Sequence, residues 1–277
     1  RAIERLALPD SPAGLYDPIR YTLSAGGKRI RPVLTLAACD AFDRDPMTSI
    51  HQAVAIEMFH NFTLLHDDVM DKADMRRGLP TVHRKWNEET ASLSGDAMLT
   101  TATMLLSIHA ESRLATALDL FNGTAMKIYE GQQLDMDFEK RLDVTVAEYM
   151  EMIRFKTSVL LGCACAMGAL MADVNIEMQQ RFFEYGENLG LAFQLQDDFL
   201  DTFGNPDTFG KAIGGDILND KKTWLLITAL GEDKTGTVNS LLGPTDNPAE
   251  KIEAVMKVYR DLNLPERIHE LIGADLA

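Results

Sequence analysis

The sequence is poor in the features that mark secreted, membrane-spanning or nucleic-acid-binding proteins. It has three cysteines in 277 residues, an odd number, and Cys163 and Cys165 are only two apart. That argues against a disulfide framework and gives no zinc-ligand spacing, so all three are expected as small core residues in a reducing cytoplasm. There is no excess of positive charge. The net charge is −15, which argues against a nucleic-acid partner, whose footprint is basic. An anionic substrate is still allowed, because local cations and metal can bind one inside an acidic protein. Long apolar runs are missing too. The longest uncharged stretch, 157–172, is diluted by Gly and Ser, so no membrane span is expected, and no secretory signal opens the chain. Without a Gly/Ser linker, like-charge block or long repeat, residues 1–277 read as one domain. The chain starts at Arg1 without Met and stops at Ala277, so both ends are expected to be incomplete.

Proline is absent from 81–205 although the chain has ten. That stretch is rich in Ala, Leu, Met, Glu and Gln, and its apolar residues recur at three and four. Helices are expected over about 30–40, 47–71, 92–110, 113–137, 145–172, 176–203, 222–231 and 247–262. Breaks are expected at Gly26-Gly27, Asp45-Pro46, Gly78-Leu79-Pro80, Asn205-Pro206 and Gly214-Gly215. Strand signals are weak. The expected class is all-α, a single domain of long, mostly antiparallel helices around a central space.

What the chain does carry is one acidic pattern twice: Asp67-Asp68-Val69-Met70-Asp71 and Asp197-Asp198-Phe199-Leu200-Asp201. On a helix, positions i and i+4 lie roughly 40° apart around the axis and ~6 Å apart along it. Asp67 and Asp71 therefore share a face, as do Asp197 and Asp201. Like charges at that spacing repel, and each group falls at the negative end of a helix, so a counterion is expected. Two such clusters facing each other would hold hard divalent cations, which would grip a diphosphate. One cluster alone reads equally well as a solvated helix end.

Cations answer the carboxylates. Gly26-Gly27-Lys28-Arg29-Ile30-Arg31-Pro32 is a glycine turn with three cations at a helix start. Glycine lets backbone approach an anion, and the helix start adds free N–H donors. Arg76-Arg77 follows the first cluster; the pair could serve two diphosphates or simply balance the aspartates. His60, two turns before Asp67, could donate to a diphosphate or be structural. Lys156-Thr157, Phe193-Gln194, Lys211 and Lys221 are weak signals singly.

Taken in order with Gly131-Gln132 and Gly215-Asp216…Lys221…Thr223, these motifs resemble the trans-isoprenyl diphosphate synthases, the polyprenyl synthetase family. The resemblance covers about residues 14–230 with no departure at a motif position; the last ~45 residues match poorly. It implies long helices around a deep cavity, a homodimer, and head-to-tail joining of isopentenyl diphosphate to an allylic diphosphate. It implies that Asp67, Asp71 and Asp197 ligate three Mg²⁺ ions, supported by Asp68, Asp198 and Asp201. Lys28, Arg31, His60 and Arg77 match the isopentenyl diphosphate site. Arg76, Lys156, Gln194, Lys211 and Lys221 match the allylic site. Thr157, Gln194 and the Lys156 carbonyl are candidates to face the allylic cation. No ordinary catalytic base stands out, and in the family the released diphosphate is thought to take the proton.

Product length should be set beside the helix carrying Asp67. Phe62, five residues before it, lies about 7–8 Å along the axis, with Phe59 and Met58 below. These side chains could be plain core or a floor. In the family an aromatic at the fifth position limits length; Thr63 at the fourth and the lack of an insertion favour geranylgeranyl over farnesyl diphosphate. Rival readings are a synthase of another chain length, a non-catalytic partner subunit, a class I terpene cyclase and a cation-binding protein without chemistry.

Overall fold

The computed structural model describes residues 1–205 and 213–276. Eleven helices of eight residues or more lie among them: α1 Ala13–Ser24, α2 Ile30–Asp40, α3 Ile50–Met70, α4 Glu88–Ser107, α5 Leu114–Phe138, α6 Val146–Ile153, α7 Val159–Met171, α8 Ile176–Phe203, α9 Trp224–Glu232, α10 Pro248–Asp261 and α11 Leu264–Leu276. The class is all-α, as expected.

Four details depart from the sequence reading. First, α1 was not expected; it carries Pro18 as the sixth of its twelve residues, and Thr22 Oγ1 donates to the Pro18 carbonyl at 2.9 Å. Second, α11 lay beyond the last expected helix. Leu264, Ile268 and Ile272, four apart, are all buried, and Pro265 in its first turn loses no needed donor. Third, a hairpin forms where strand signals are weak: β1 Met75–Arg76 pairs antiparallel with β2 Leu79–Pro80. Its two-residue turn, Arg77 (φ 53°) and Gly78 (φ 75°), has the paired left-handed backbone that tight hairpins need. Fourth, the expected helix 145–172 forms as Val146–Met171 but carries a π-helical turn at Arg154–Ser158. One further expectation is corrected: Val146–Met171 is long and apolar enough, by length and composition, to cross a membrane. However, 78% of its apolar window is buried within the protein, which marks it as core.

The fold comprises two compact units, residues 1–122 with 163–183, and residues 123–162 with 184–277. In the first, α3 packs along α4, α2 against α3, and α1 against α4. Gly168 lets α7 meet α2 closely: a Cβ there would stand 2.1 Å from the Thr35 carbonyl oxygen. In the second, Leu191, Leu195, Trp224, Leu225, Tyr259, Leu264 and Ile268 form one core. Cys39, Cys163 and Cys165 are buried and unbridged, as expected.

Candidate active site

In the first unit, α3 presents His60, Asp67 and Asp68 and ends on Asp71, whose N–H donates to the Asp67 carbonyl at 2.9 Å. The hairpin then returns Arg76 to this end. Its Nε donates to Asp68 Oδ1 at 2.7 Å and its Nη2 lies 3.5 Å from Asp67 Oδ2. Asp68 is buried, and burial pushes its carboxyl up in spite of Arg76. Arg77 takes the opposite direction. Its guanidinium donates to the Gly26 carbonyl and lies against Gly27, where a Cβ would come within 2.9 Å of Cζ. The two glycines, at φ 81° and 129°, thus give both the left-handed turn and the space for Arg77.

The three cations of the glycine turn have different fates. Arg29, itself left-handed at φ 52°, donates to buried Glu57 and, at 2.6 Å, to the Leu23 carbonyl. It is an internal ion pair. Lys28 is exposed and has no ion pair among the described residues. Arg31 lies 3.3 Å from His60 Nε2, and its buried Nε has no partner. A guanidinium only donates, so His60 accepts at Nε2 and carries its proton on Nδ1. Burial, then Arg31, Arg77, Arg76 and Arg29, hold His60 well below the usual imidazole range. Burial likewise pushes Arg31 down to about 10, against the attraction of Glu57. The result is a neutral histidine among crowded guanidiniums, an arrangement that an anion relieves.

In the second unit the π-helical turn holds Lys156 and Thr157. Two glycines let it sit close to its neighbours: a Cβ on Gly131 would lie 2.3 Å from the Lys156 nitrogen, and one on Gly190 2.5 Å from Ser158 Cα. The Ser158 hydroxyl donates to the Ile153 carbonyl at 3.3 Å. Lys156 is ion-paired with Asp135, one turn beyond Gly131. Thr157 Oγ1 donates to Gln194 Oε1 at 3.1 Å, and Gln194 Nε2 donates to Asp198 Oδ1 at 2.9 Å. The buried Tyr149 hydroxyl donates to the other oxygen of Asp198. Burial, followed by Asp216, pushes Asp198 up to about 7 in spite of Lys221. Burial works against the Lys221 ammonium, but Asp216, Asp198, Asp135 and Asp197 together push its pKa up.

Asp201 lies in the last turn of α8 and accepts from the backbone at Gly214 and Asp216. Its Oδ2 accepts from the Asp216 N–H at 2.9 Å and its carbonyl from the Gly214 N–H at 2.7 Å. Thr223 caps α9 through the Leu226 N–H at 3.3 Å. Asp220, at φ 49°, is gripped by buried Lys251 at 2.7 Å, which also donates to the Gly243 carbonyl at 2.8 Å. Lys211 lies outside the described residues. Asp135, Tyr149, Asp216 and Lys251 were not singled out from sequence. Asp216 lay inside a quoted motif, whereas an isolated helical Asp, Tyr or Lys has no distinguishing spacing.

The middle aspartates, Asp68 and Asp198, are thus tied to Arg76 and to Tyr149 with Gln194. Among the described residues no three His, Cys, Asp or Glu side chains already converge on one point. The carboxylate oxygens of both motifs are nonetheless hard donors of the kind Mg²⁺ takes. Along α3, Phe59, Phe62 and Met58 are buried. Phe59 meets Phe62 at 5.4 Å between ring centroids and Phe121 edge-on at 5.0 Å. Thr63 Oγ1 donates to the His60 carbonyl at 2.8 Å.

The polyprenyl synthetase family model matches residues 12–262. The chain belongs to that family. It is a prenyltransferase with an all-α isoprenyl diphosphate synthase fold. It is 40% identical over 262 residues to the geranylgeranyl diphosphate synthase of Methanosarcina mazei, covering 94% of this chain and 80% of that one. It is 39% identical over 268 residues to the geranylfarnesyl diphosphate synthase of Natronomonas pharaonis, covering 90% and 78%. A crystal structure of a geranylgeranyl pyrophosphate synthase superposes with a TM-score of 0.92 at 44% identity, covering 97% of this chain and 84% of that one.

Proposed function

We propose that residues 1–277 act as one prenyl diphosphate synthase domain. It condenses isopentenyl diphosphate with an allylic diphosphate, using three Mg²⁺ ions, to give geranylgeranyl diphosphate. One observation supports this reading: Arg31, Arg77 and neutral His60 form a cationic group beyond Arg76, which pairs with the aspartates and also acts on His60. Condensation needs two diphosphate sites. A cyclase needs one, and an inert metal binder none.

In this reading Lys28, Arg31, His60 and Arg77 hold isopentenyl diphosphate, with the unpartnered Arg31 Nε and the His60 Nδ1–H as donors. Asp67, Asp71 and Asp197 are the direct Mg²⁺ ligands, and Asp68, Asp198 and Asp201 the supporting carboxylates. Bound Mg²⁺ offsets charge growing on the leaving diphosphate. Arg76, Lys156, Lys211 and Lys221 add to that offset at the allylic head. Thr157 donates its proton to Gln194, so its oxygen lone pairs, with the Lys156 carbonyl, are left to face the allylic cation without trapping it. Buried apolar walls exclude the water that would quench it.

Phe62, buried and flanked by Phe59 and Met58, is the floor that favours a twenty-carbon product. The geranylfarnesyl relative, nearly as similar as the geranylgeranyl one, shows that overall identity does not fix length. Phe62→Ala should therefore lengthen the main product by at least one five-carbon unit; an unchanged distribution would remove Phe62 as the floor. Apolar side chains exposed on α4 (Leu93, Met104) and α5 (Met126, Tyr129) support a homodimer. Three unbridged cysteines support a cytoplasmic location. Incubation with Mg²⁺, isopentenyl diphosphate and farnesyl diphosphate, read by mass spectrometry, tests the assignment. A single new twenty-carbon diphosphate is expected. Diphosphate release without a longer prenyl product would indicate cyclisation or hydrolysis instead.

A further inference from the structure

Gly95 of α4 leaves a gap that His66 of α3 fills. A Cβ on residue 95 would stand 2.3 Å from His66 Nε2 and 2.6 Å from Cδ2, far inside van der Waals contact. The imidazole is held in the gap, since Nε2 lies 3.1 Å from the Ser92 carbonyl and 3.9 Å from Asp96 Oδ1. A carbonyl only accepts, so Nε2 carries the proton. The ring also meets Phe62 nearly perpendicular, with centroids 4.7 Å apart at 68°. Phe62 therefore sits between His66, four residues ahead, and Phe59, three behind, and Phe59 leans on Phe121. One aromatic stack runs Phe121–Phe59–Phe62–His66 and ends against a missing side chain. The His66 side chain is 24% exposed, so most of it is packed, and a methyl at residue 95 displaces it against the ring it meets.

We propose that Gly95, acting through His66, is a positioning residue for product length, fixing where Phe62 closes the path of the growing prenyl chain. This rests on the reading of Phe62 as the floor. Neither residue contacts a diphosphate in that reading; they act on the hydrocarbon end alone. Removing the imidazole gives the Phe62 ring a second resting place away from the chain, which deepens the path. Adding a methyl at 95 drives the imidazole onto Phe62, which shortens it.

The test is the product ratio, measured by mass spectrometry with dimethylallyl diphosphate as primer, for wild type, Phe62→Ala, His66→Ala, Gly95→Ala and the Gly95→Ala/His66→Ala double variant. Phe62→Ala is expected to lengthen the product. His66→Ala should raise the ratio of twenty-five- to twenty-carbon product by roughly tenfold, the scale on which a pocket senses one small apolar group. Gly95→Ala should raise the ratio of fifteen- to twenty-carbon product by a comparable factor. The double variant should follow His66→Ala, because the methyl then has nothing to displace. If Phe62→Ala lengthens the product while His66→Ala and Gly95→Ala keep the wild-type ratio, the relay is wrong and the floor stands. If Phe62→Ala changes nothing, the floor fails and the relay with it. A packing role without positioning would lower turnover and Tm at constant ratio. If Gly95→Ala does not fold, His66→Ala and the double variant decide, and wild-type ratios in both overturn the proposal.

Discussion

At the scale of single residues, electrostatics sorts side chains that look alike in sequence. Arg29 and Arg31 are two apart, yet Arg29 is held by Glu57 and the Leu23 carbonyl while Arg31 keeps a buried donor free. Arg76 and Arg77 are adjacent, yet the left-handed backbone at Arg77 sends one guanidinium to the aspartates and the other to Gly26. His60 is held neutral by its burial first and by the same crowd of guanidiniums second. Its folded pKa lies well below 6.5, so below that pH the unfolded chain binds the extra proton and the native state does not. Its contribution to stability is therefore complete above pH 6.5 and is lost as pH falls toward the folded value. Ligand-free protein titrated from pH 7.5 to 5 by chemical denaturation should lose stability over that window, and His60→Asn should flatten the decline. A variant with the wild-type slope would show that His60 is not held neutral.

At the scale of elements, close approach of backbones decides where chemistry sits. The π-helical turn that holds Lys156 and Thr157 exists beside Gly131 and Gly190. Gly131→Ala should cost about 1–3 kcal/mol of stability through overpacking and should sharply reduce turnover. Gly123→Ala, on the same helix but with open space at its Cβ, should be neutral or slightly stabilising. Equal effects from the two, in thermal unfolding and turnover, would contradict this account of the turn. Lys251 and Asp220 make a second such contact, with the Lys251 side chain 2% and the Asp220 side chain 23% exposed. Lys251→Met leaves Asp220 without its cation and should cost about 3 kcal/mol, the scale for breaking a largely buried pair. Denaturant midpoints measure it; a loss near zero would make the clamp ornamental.

The sequence made the helices legible wherever apolar periodicity ran unbroken. The structure ends α2 and α8 at the residues the pattern indicated. It left the π-helical turn hidden, because the apolar spacing runs on through Ile153 and Val159 and the glycines responsible lie more than twenty residues away in either direction. α11 could have been read from Leu264, Ile268 and Ile272, but Pro265 hid a helix start behind a helix breaker. Asp135, His66 and Gly95 left no trace, since each matters only through a neighbour distant in sequence.

At the scale of the whole molecule, the account says that an acidic protein handles two polyanions because cations, fixed and bound, collect where its own carboxylates and guanidiniums are sorted. Chelation of divalent metal should abolish condensation, and Mg²⁺ should restore it. The most direct measurement is the Mg²⁺-dependent rate of prenyl product formation for Asp67→Asn and Asp197→Asn beside wild type. The account predicts that each single substitution lowers kcat by about 10³ or more, on the order of 4 kcal/mol of lost transition-state stabilisation. Turnover close to wild type in either variant would contradict it.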